Sequence, residues 1–218
     1  MKSSEIFRRI LSSGFIWRLS GISYYTAIRA TRGHSLSKAD YLKESVEKTQ
    51  ALGLPLPAKI VMEFGSGLGG NLIGIAKSIE LGIGIDINPL FVHQAKGLSK
   101  KLNCKNLKFF SYDGTNFPRL PKFDLIFSVN VFERIKKDII SDLIPKIVSL
   151  GSEKCTYVLF FLNENAKGTK FTEFLGDDAY VYWSYDELAA LFSKHNMKVK
   201  ISEWGMYEKN AYIVRADH

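Results

Sequence analysis

The chain has 218 residues, 46% of them hydrophobic and 24% charged, which suits one well-buried globular domain with a small appendage. Two cysteines, Cys104 and Cys155, are too few and too irregularly spaced for a disulfide framework or a zinc cluster. No apolar run approaches the ~18 residues of a membrane span, and Arg8, Arg9 and Arg18 interrupt any secretory core, so a cytoplasmic location is expected.

The net charge of +8 is uneven: residues 1–33 alone carry +5, with six basic residues against Glu5. Ile6, Phe7, Ile10 and Leu11 are at helical spacing until Ser12-Ser13-Gly14 and Ser20-Gly21 break it, so two short helices are expected. Their aromatic face suits packing on the rest of the chain as a cap. A basic amphipathic segment also suits an anionic membrane surface, a lipid-linked substrate or RNA phosphates. Thr31 to Ser35 reads as a turn that presents His34, and Ser37 as the N-cap of a polar helix over 38–52. Leu54-Pro55-Leu56-Pro57 is the expected linker, which divides the chain into a helical cap (1–54) and a main domain (55–218).

The main domain alternates. Strands are expected at 59–64, 81–86, 107–112, 123–128 and 155–162, and helices at 69–79, 89–102, 136–149 and 185–194. Val199–Glu203 and Ala211–Ala216 follow as a closing strand pair. Asn88-Pro89 makes an N-cap and first helical position, and Ser184 with Glu187 a capping box. Alternation of this kind predicts an α/β, doubly wound, seven-stranded and mostly parallel sheet with a C-terminal antiparallel hairpin. Between strands 107–112 and 123–128 there is room for at most a turn of helix. Ligands of such sheets bind beyond the carboxyl ends of the strands.

Glu63, Asp86, Asp113 and Ser128 all fall at such ends. Between Glu63 and the first helix lies Phe64-Gly65-Ser66-Gly67-Leu68-Gly69-Gly70-Asn71, a glycine turn whose bare backbone admits a nucleotide-like cofactor closely. Gly65, Gly67 and Gly70 also fit a dinucleotide fingerprint with Asp86 as its ribose acid, so an NAD(P)-dependent oxidoreductase is the competing reading.

Four downstream features, taken together, tip the balance. Glu63 with Gly65, Gly67 and Gly69 resembles motif I of the class I, Rossmann-like S-adenosylmethionine (SAM) methyltransferases, E/D-x-G-x-G-x-G. Leu81–Asp86, a strand closing on Asp113-Gly114, Phe123–Ser128 running into Val129–Ile135, and the terminal hairpin follow in the family's order. The resemblance covers roughly residues 55–218. It implies SAM as cofactor, held by Glu63, Gly65, Gly67, Gly69 and Asn71, by Asp86 and Ile87, by Asp113 and Gly114, and by Ser128. It places Glu133 as base or substrate-orienting group, with His34 a second catalytic candidate at the mouth. Where many relatives have His after this Glu, Arg134 stands, suited to an anionic substrate.

Methyl transfer from a sulfonium needs alignment, exclusion of water and, for a hydroxyl acceptor, a base; it needs no nucleophilic triad, and none is apparent. Ser128-Val129-Asn130-Val131 is not the [N/D/S]-P-P-[Y/F] motif of DNA-base methyltransferases, and no K-D-K-E set is present. A small-molecule or glycan/lipid-linked acceptor is therefore expected ahead of RNA or protein, with O-methylation slightly favoured. A non-catalytic SAM-binding protein is the third reading. Residues 163–183, rich in aromatics, are the expected substrate wall.

Overall fold

The computed structural model describes residues 38–112, 117–168, 180–195, 197–204 and 211–217. The expected helices of residues 1–30, the turn with His34, and the Asp113-Gly114 strand end lie outside the described residues.

Seven strands form one sheet: β1 (Ala58–Phe64), β2 (Ile79–Asp86), β3 (Leu107–Ser111), β4 (Phe123–Ser128), β5 (Gly151–Leu162), β6 (Lys198–Trp204) and β7 (Ala211–Asp217). Their order is β3-β2-β1-β4-β5-β7-β6. The first five run parallel, and β7 pairs antiparallel with both β5 and β6. The chain winds outward from β1 through β2 to β3, then returns to β4 on the other flank of β1. That reversal leaves a crevice between the ends of β1 and β4.

The helices are α1 (Lys38–Ala51), α2 (Gly70–Ile75), α3 (Pro89–Lys101), α4 (Lys137–Val148) and α5 (Tyr185–Ser193). Side chains of α2 and α3, among them Leu72, Ile75, Val92 and Ala95, share one core with Val61, Leu107, Phe109 and Phe127. Ile140, Ile144, Leu188 and Phe192 of α4 and α5 share the other with Met62, Ile85 and Phe161. A sheet wet on neither face explains why its central strands read as continuous apolar runs.

Most element boundaries fall within one residue of expectation, and three differ by two residues or more. The helix expected over 69–79 ends at Ile75, a 3-10 turn covers Ala76–Ser78, and β2 begins at Ile79. Asn106 secures the turn that follows, its Nδ2 donating to Ala76 O at 2.8 Å and to Ile79 O at 2.9 Å, carbonyls left open beyond the helix end. The strand expected from 155 begins at Gly151, and its register with β4 shifts between Phe123 and Leu125. The polar start, Ser152-Glu153-Lys154, hid that extension.

Helix α1 is fastened to the sheet domain at its C-terminal end. Leu52 is fully buried in the core that α2 supplies, and Gly53 takes the left-handed conformation at φ 56°. Arg215 of β7 donates from Nη1 to Gly53 O at 3.2 Å and from Nη2 to Leu52 O. These are charge-assisted bonds to the carbonyls a helix end leaves open. Arg215→Ala is expected to lower stability by about 1.5–3 kcal/mol. A denaturant midpoint unchanged from wild type would refute that.

Candidate active site

The crevice is built from the turns that follow β1, β2 and β4. After Phe64 the backbone reverses through Gly65, Gly67 and Gly69, all at positive φ (73°, 52° and 78°). Two of these glycines do different work. A Cβ on Gly69 would meet the Phe109 ring at 2.6 Å and Ala95 Cβ at 3.3 Å, so this glycine lets the turn lie flat on the core. A Cβ on Gly67 would meet nothing within 4 Å, so that glycine borders open space.

Asp86, half-buried at the end of β2, is anchored to the same turn. Its Oδ2 accepts from Gly67 N and its Oδ1 from Asn88 N, both at 2.8 Å. Burial raises its pKa, against the pull of the Asn88 and Gly67 amides. Each oxygen keeps a second lone pair for a further donor. Next to it Ile87 is 53% exposed, a large apolar side chain left in solvent at the crevice rim. Asn88 then caps α3, its side chain accepting from Leu90 N at 3.0 Å with Pro89 behind it.

Glu63 lies below the turn, 1% exposed. Asn71 Nδ2 donates to its Oε1 at 2.7 Å, and its Oε2 is buried with no hydrogen-bond partner. Burial drives this carboxyl up to about 8; the Asn71 bond opposes that, the Asp86 charge adds to it, and the Leu72 amide opposes it. Ser66 Oγ and Ser128 Oγ are likewise buried without a hydrogen-bond partner. Ser66 fits beneath the turn because Gly84 of β2 leaves room: a Cβ there would meet Ser66 Oγ at 2.7 Å and the Phe109 ring at 2.5 Å. The Leu-Gly-Ile-Gly-Ile-Asp alternation was the available signal for Gly84; nothing in the sequence singled out Ser66.

After β4 the chain turns through Asn130, at φ 56°, into a 3-10 turn over Phe132–Arg134. Val131 packs against the place where a Gly65 side chain would be, so this loop and the glycine turn close on one another. Glu133 is 1% exposed, and its Oε2 has no hydrogen-bond partner. Burial brings its carboxyl up to about 7, with the positive charges of Arg134 and of Lys48 on α1 pulling the other way. Arg134 is engaged within the fold: its guanidinium lies 4.3 Å from the Tyr180 ring centroid, and Nη2 donates to Tyr180 Oη at 3.1 Å. Val181 N donates to Glu133 O at 2.9 Å and Trp183 N to Leu162 O at 2.8 Å. The residues closing the 163–183 connection are thereby stitched to the turn that carries Glu133.

The structure thus brings together Glu63, Gly65, Gly67, Gly69, Asn71 and Asp86 with Ile87, and it places Ser128 and Glu133 on the adjoining strand end and loop. His34, Asp113 and Gly114 are outside the described residues. Among the described residues no group of His, Cys, Asp and Glu side chains could hold a metal ion.

Residues 61–151, from within β1 to the first residue of β5, match the family model of the methyltransferase domain. Over those residues the chain is similar to the methyltransferase domain family. No curated protein matches the chain in sequence. Solved structures match its fold at low identity. A SAM-dependent methyltransferase from Aquifex aeolicus is 19% identical over 79% of this chain and 88% of its own, with a TM-score of 0.61. DhpI in complex with S-adenosylhomocysteine (SAH) is 13% identical over 95% of both chains, at 0.66. Magnesium protoporphyrin IX methyltransferase from Synechocystis PCC 6803 with bound SAM is 16% identical over 100% of this chain and 98% of its own, at 0.62.

Proposed function

We propose that the crevice holds SAM and that the methyl group goes to a small-molecule or glycan/lipid-linked acceptor, a hydroxyl in preference to an amine. The observation that carries the cofactor assignment is Asp86, tethered by Gly67 N and Asn88 N beside exposed Ile87. The spare lone pairs suit the two ribose hydroxyls and the isoleucine suits the adenine face. Gly67, open on its Cβ side, leaves a backbone that a ligand can approach closely. Unpartnered oxygens on Glu63, Ser66 and Ser128 supply buried polar groups in want of a partner, as a polar ligand would provide. The residues present therefore fit the cofactor, with Asn71 orienting Glu63 and with Asp113 and Gly114 assigned to the adenine side by resemblance. When bound, SAM supplies an already activated methyl group, so the protein's work is alignment and dryness.

Glu133 is the base in this reading. A carboxyl at about 7 is near the working pH of a proton acceptor. His34 remains the second catalytic candidate. Arg134, paired with Tyr180, fastens the described end of the 163–183 connection beside Glu133, and in this reading positions an acceptor without touching it.

Stabilisation against heat by SAH, with none from NADPH, tests the cofactor class. Asp86→Ala should abolish that stabilisation, and should lower the unliganded melting temperature by several degrees for the two amide bonds it removes. An Asp86→Ala protein still protected by SAH as strongly as wild type would remove the site proposed here.

A further inference from the structure

From Ile87 to Tyr112 the sequence contains five lysines (Lys96, Lys100, Lys101, Lys105 and Lys108) and not one Asp or Glu. With the +5 of residues 1–33, this accounts for more than the whole net charge of +8, so the rest of the chain is net −2. All five lysines are exposed, and none enters an ion pair among the described residues. The stretch is one continuous flank of the molecule: α3, the turn after it, and β3, which is an edge strand. Helix α3 buries Phe91, Val92, Ala95 and Ser99 and turns Leu90, His93, Lys96, Lys100 and Lys101 outward. Leu90 is 42% exposed and Leu102, at the helix C-cap, 44% exposed. Leu90 is on the lysine side of the helix, whereas Leu102, at the helix end, is turned about 120° away from it.

We infer that this flank is a docking surface for an anionic lipid bilayer, with α3 lying along the headgroups. The charge is complementary to an acidic leaflet, and each lysine near such a surface is worth about 1 kcal/mol. Leu90, on the lysine side of α3, reaches the boundary layer where an amphipathic helix buries its apolar side chains. Single-stranded RNA is the less suitable polyanion, because its recognition uses exposed aromatic side chains for base stacking. Ile87, Leu90, Leu102, Ile139 and Tyr185 are the large apolar side chains exposed among the described residues, so no Phe, Tyr or Trp ring is exposed on this flank. No helix among the described residues is long and apolar enough to cross a membrane, so the contact is peripheral. It is carried by residues 87–112 and not by the sequence of residues 1–33, and it does not depend on which acceptor is methylated.

The test is flotation of the full chain with vesicles of phosphatidylglycerol and phosphatidylcholine, against phosphatidylcholine alone. The wild type should float with the acidic vesicles only, and less as salt rises. K96E/K100E/K101E should partition at least about 100-fold more weakly, from three lysine contributions, while keeping its thermal stabilisation by SAH. Leu90→Ser should weaken partitioning in a way that salt does not mimic. Equal flotation of wild type and the triple glutamate variant would overturn the inference, as would loss of binding only on deleting residues 1–33. Lysine-dependent retention of a single-stranded RNA, with no flotation, would overturn it in favour of a polynucleotide.

Discussion

Gly69→Ala is expected to cost about 2–5 kcal/mol of stability, and Gly67→Ala only about 1–2 kcal/mol, although both replace a glycine of the same turn. Both positions have positive φ, so each new side chain bears the left-handed penalty of about 1–2 kcal/mol. At Gly69 the added methyl also drives into Phe109 and Ala95, two buried residues with no room to retreat, and overpacking adds about 1–3 kcal/mol. At Gly67 the methyl enters empty space. That space is where the proposed cofactor comes nearest the backbone, so Gly67→Ala should weaken SAH binding at least about tenfold, or about 1.4 kcal/mol. Chemical denaturation and SAH titration on the two variants read the two effects separately. Equal stability losses would mean that Gly69 does not rest on Phe109 as the geometry requires. Unchanged SAH affinity in Gly67→Ala would mean that the open side of the turn is not a ligand site.

The parts legible in the sequence were those fixed locally. A strand, a glycine turn and a helix announce themselves within a dozen residues, and Asn88-Pro89 and Ser184 with Glu187 carry their caps with them. The observed capping box at Ser184 and the N-cap at Asn88 are of that kind. Acids at successive strand ends were legible once the strands were. What escaped depends on partners far apart in the chain. Asn106 secures the turn after α2 from 30 residues away. Arg215 fastens the end of α1 across 163 positions. Arg134, free to meet an anion as far as its neighbours in sequence tell, is occupied by Tyr180, 46 residues on. The lysine flank was invisible for a different reason. Its charges are spread over a helix, a turn and a strand, and only the fold lays them along one edge.

Replacing either buried acid of the site should make the folded protein more stable at alkaline pH. Glu63 and Glu133 are brought from 4.5 to about 8 and about 7, chiefly by burial. Both therefore bind a proton more tightly in the folded chain than in the unfolded one, and protonation favours folding. Their contribution is fully present below about pH 4.5. It falls as pH rises and is lost once pH passes the folded values. Glu63→Gln, whose amide oxygen can still accept from Asn71, removes that loss. Its stability relative to wild type should be small at pH 5 and rise to at least about 2 kcal/mol at pH 8, since each tenfold difference in proton affinity between folded and unfolded chain is worth about 1.36 kcal/mol. Glu133→Gln should behave alike, with its gain complete nearer pH 7. Function should move the other way. Glu133→Gln should keep SAH binding yet lose about 10²–10⁴ in kcat, together with the rise of wild-type activity through about pH 7. Denaturant melts at pH 5, 7 and 8 check the first claim, and a pH–rate profile the second. Variants no more stable than wild type at pH 8 would show that the two carboxyls ionise without strain. A site that holds two acids out of water at a cost in stability has a reason to do so only if something bound there meets their charge.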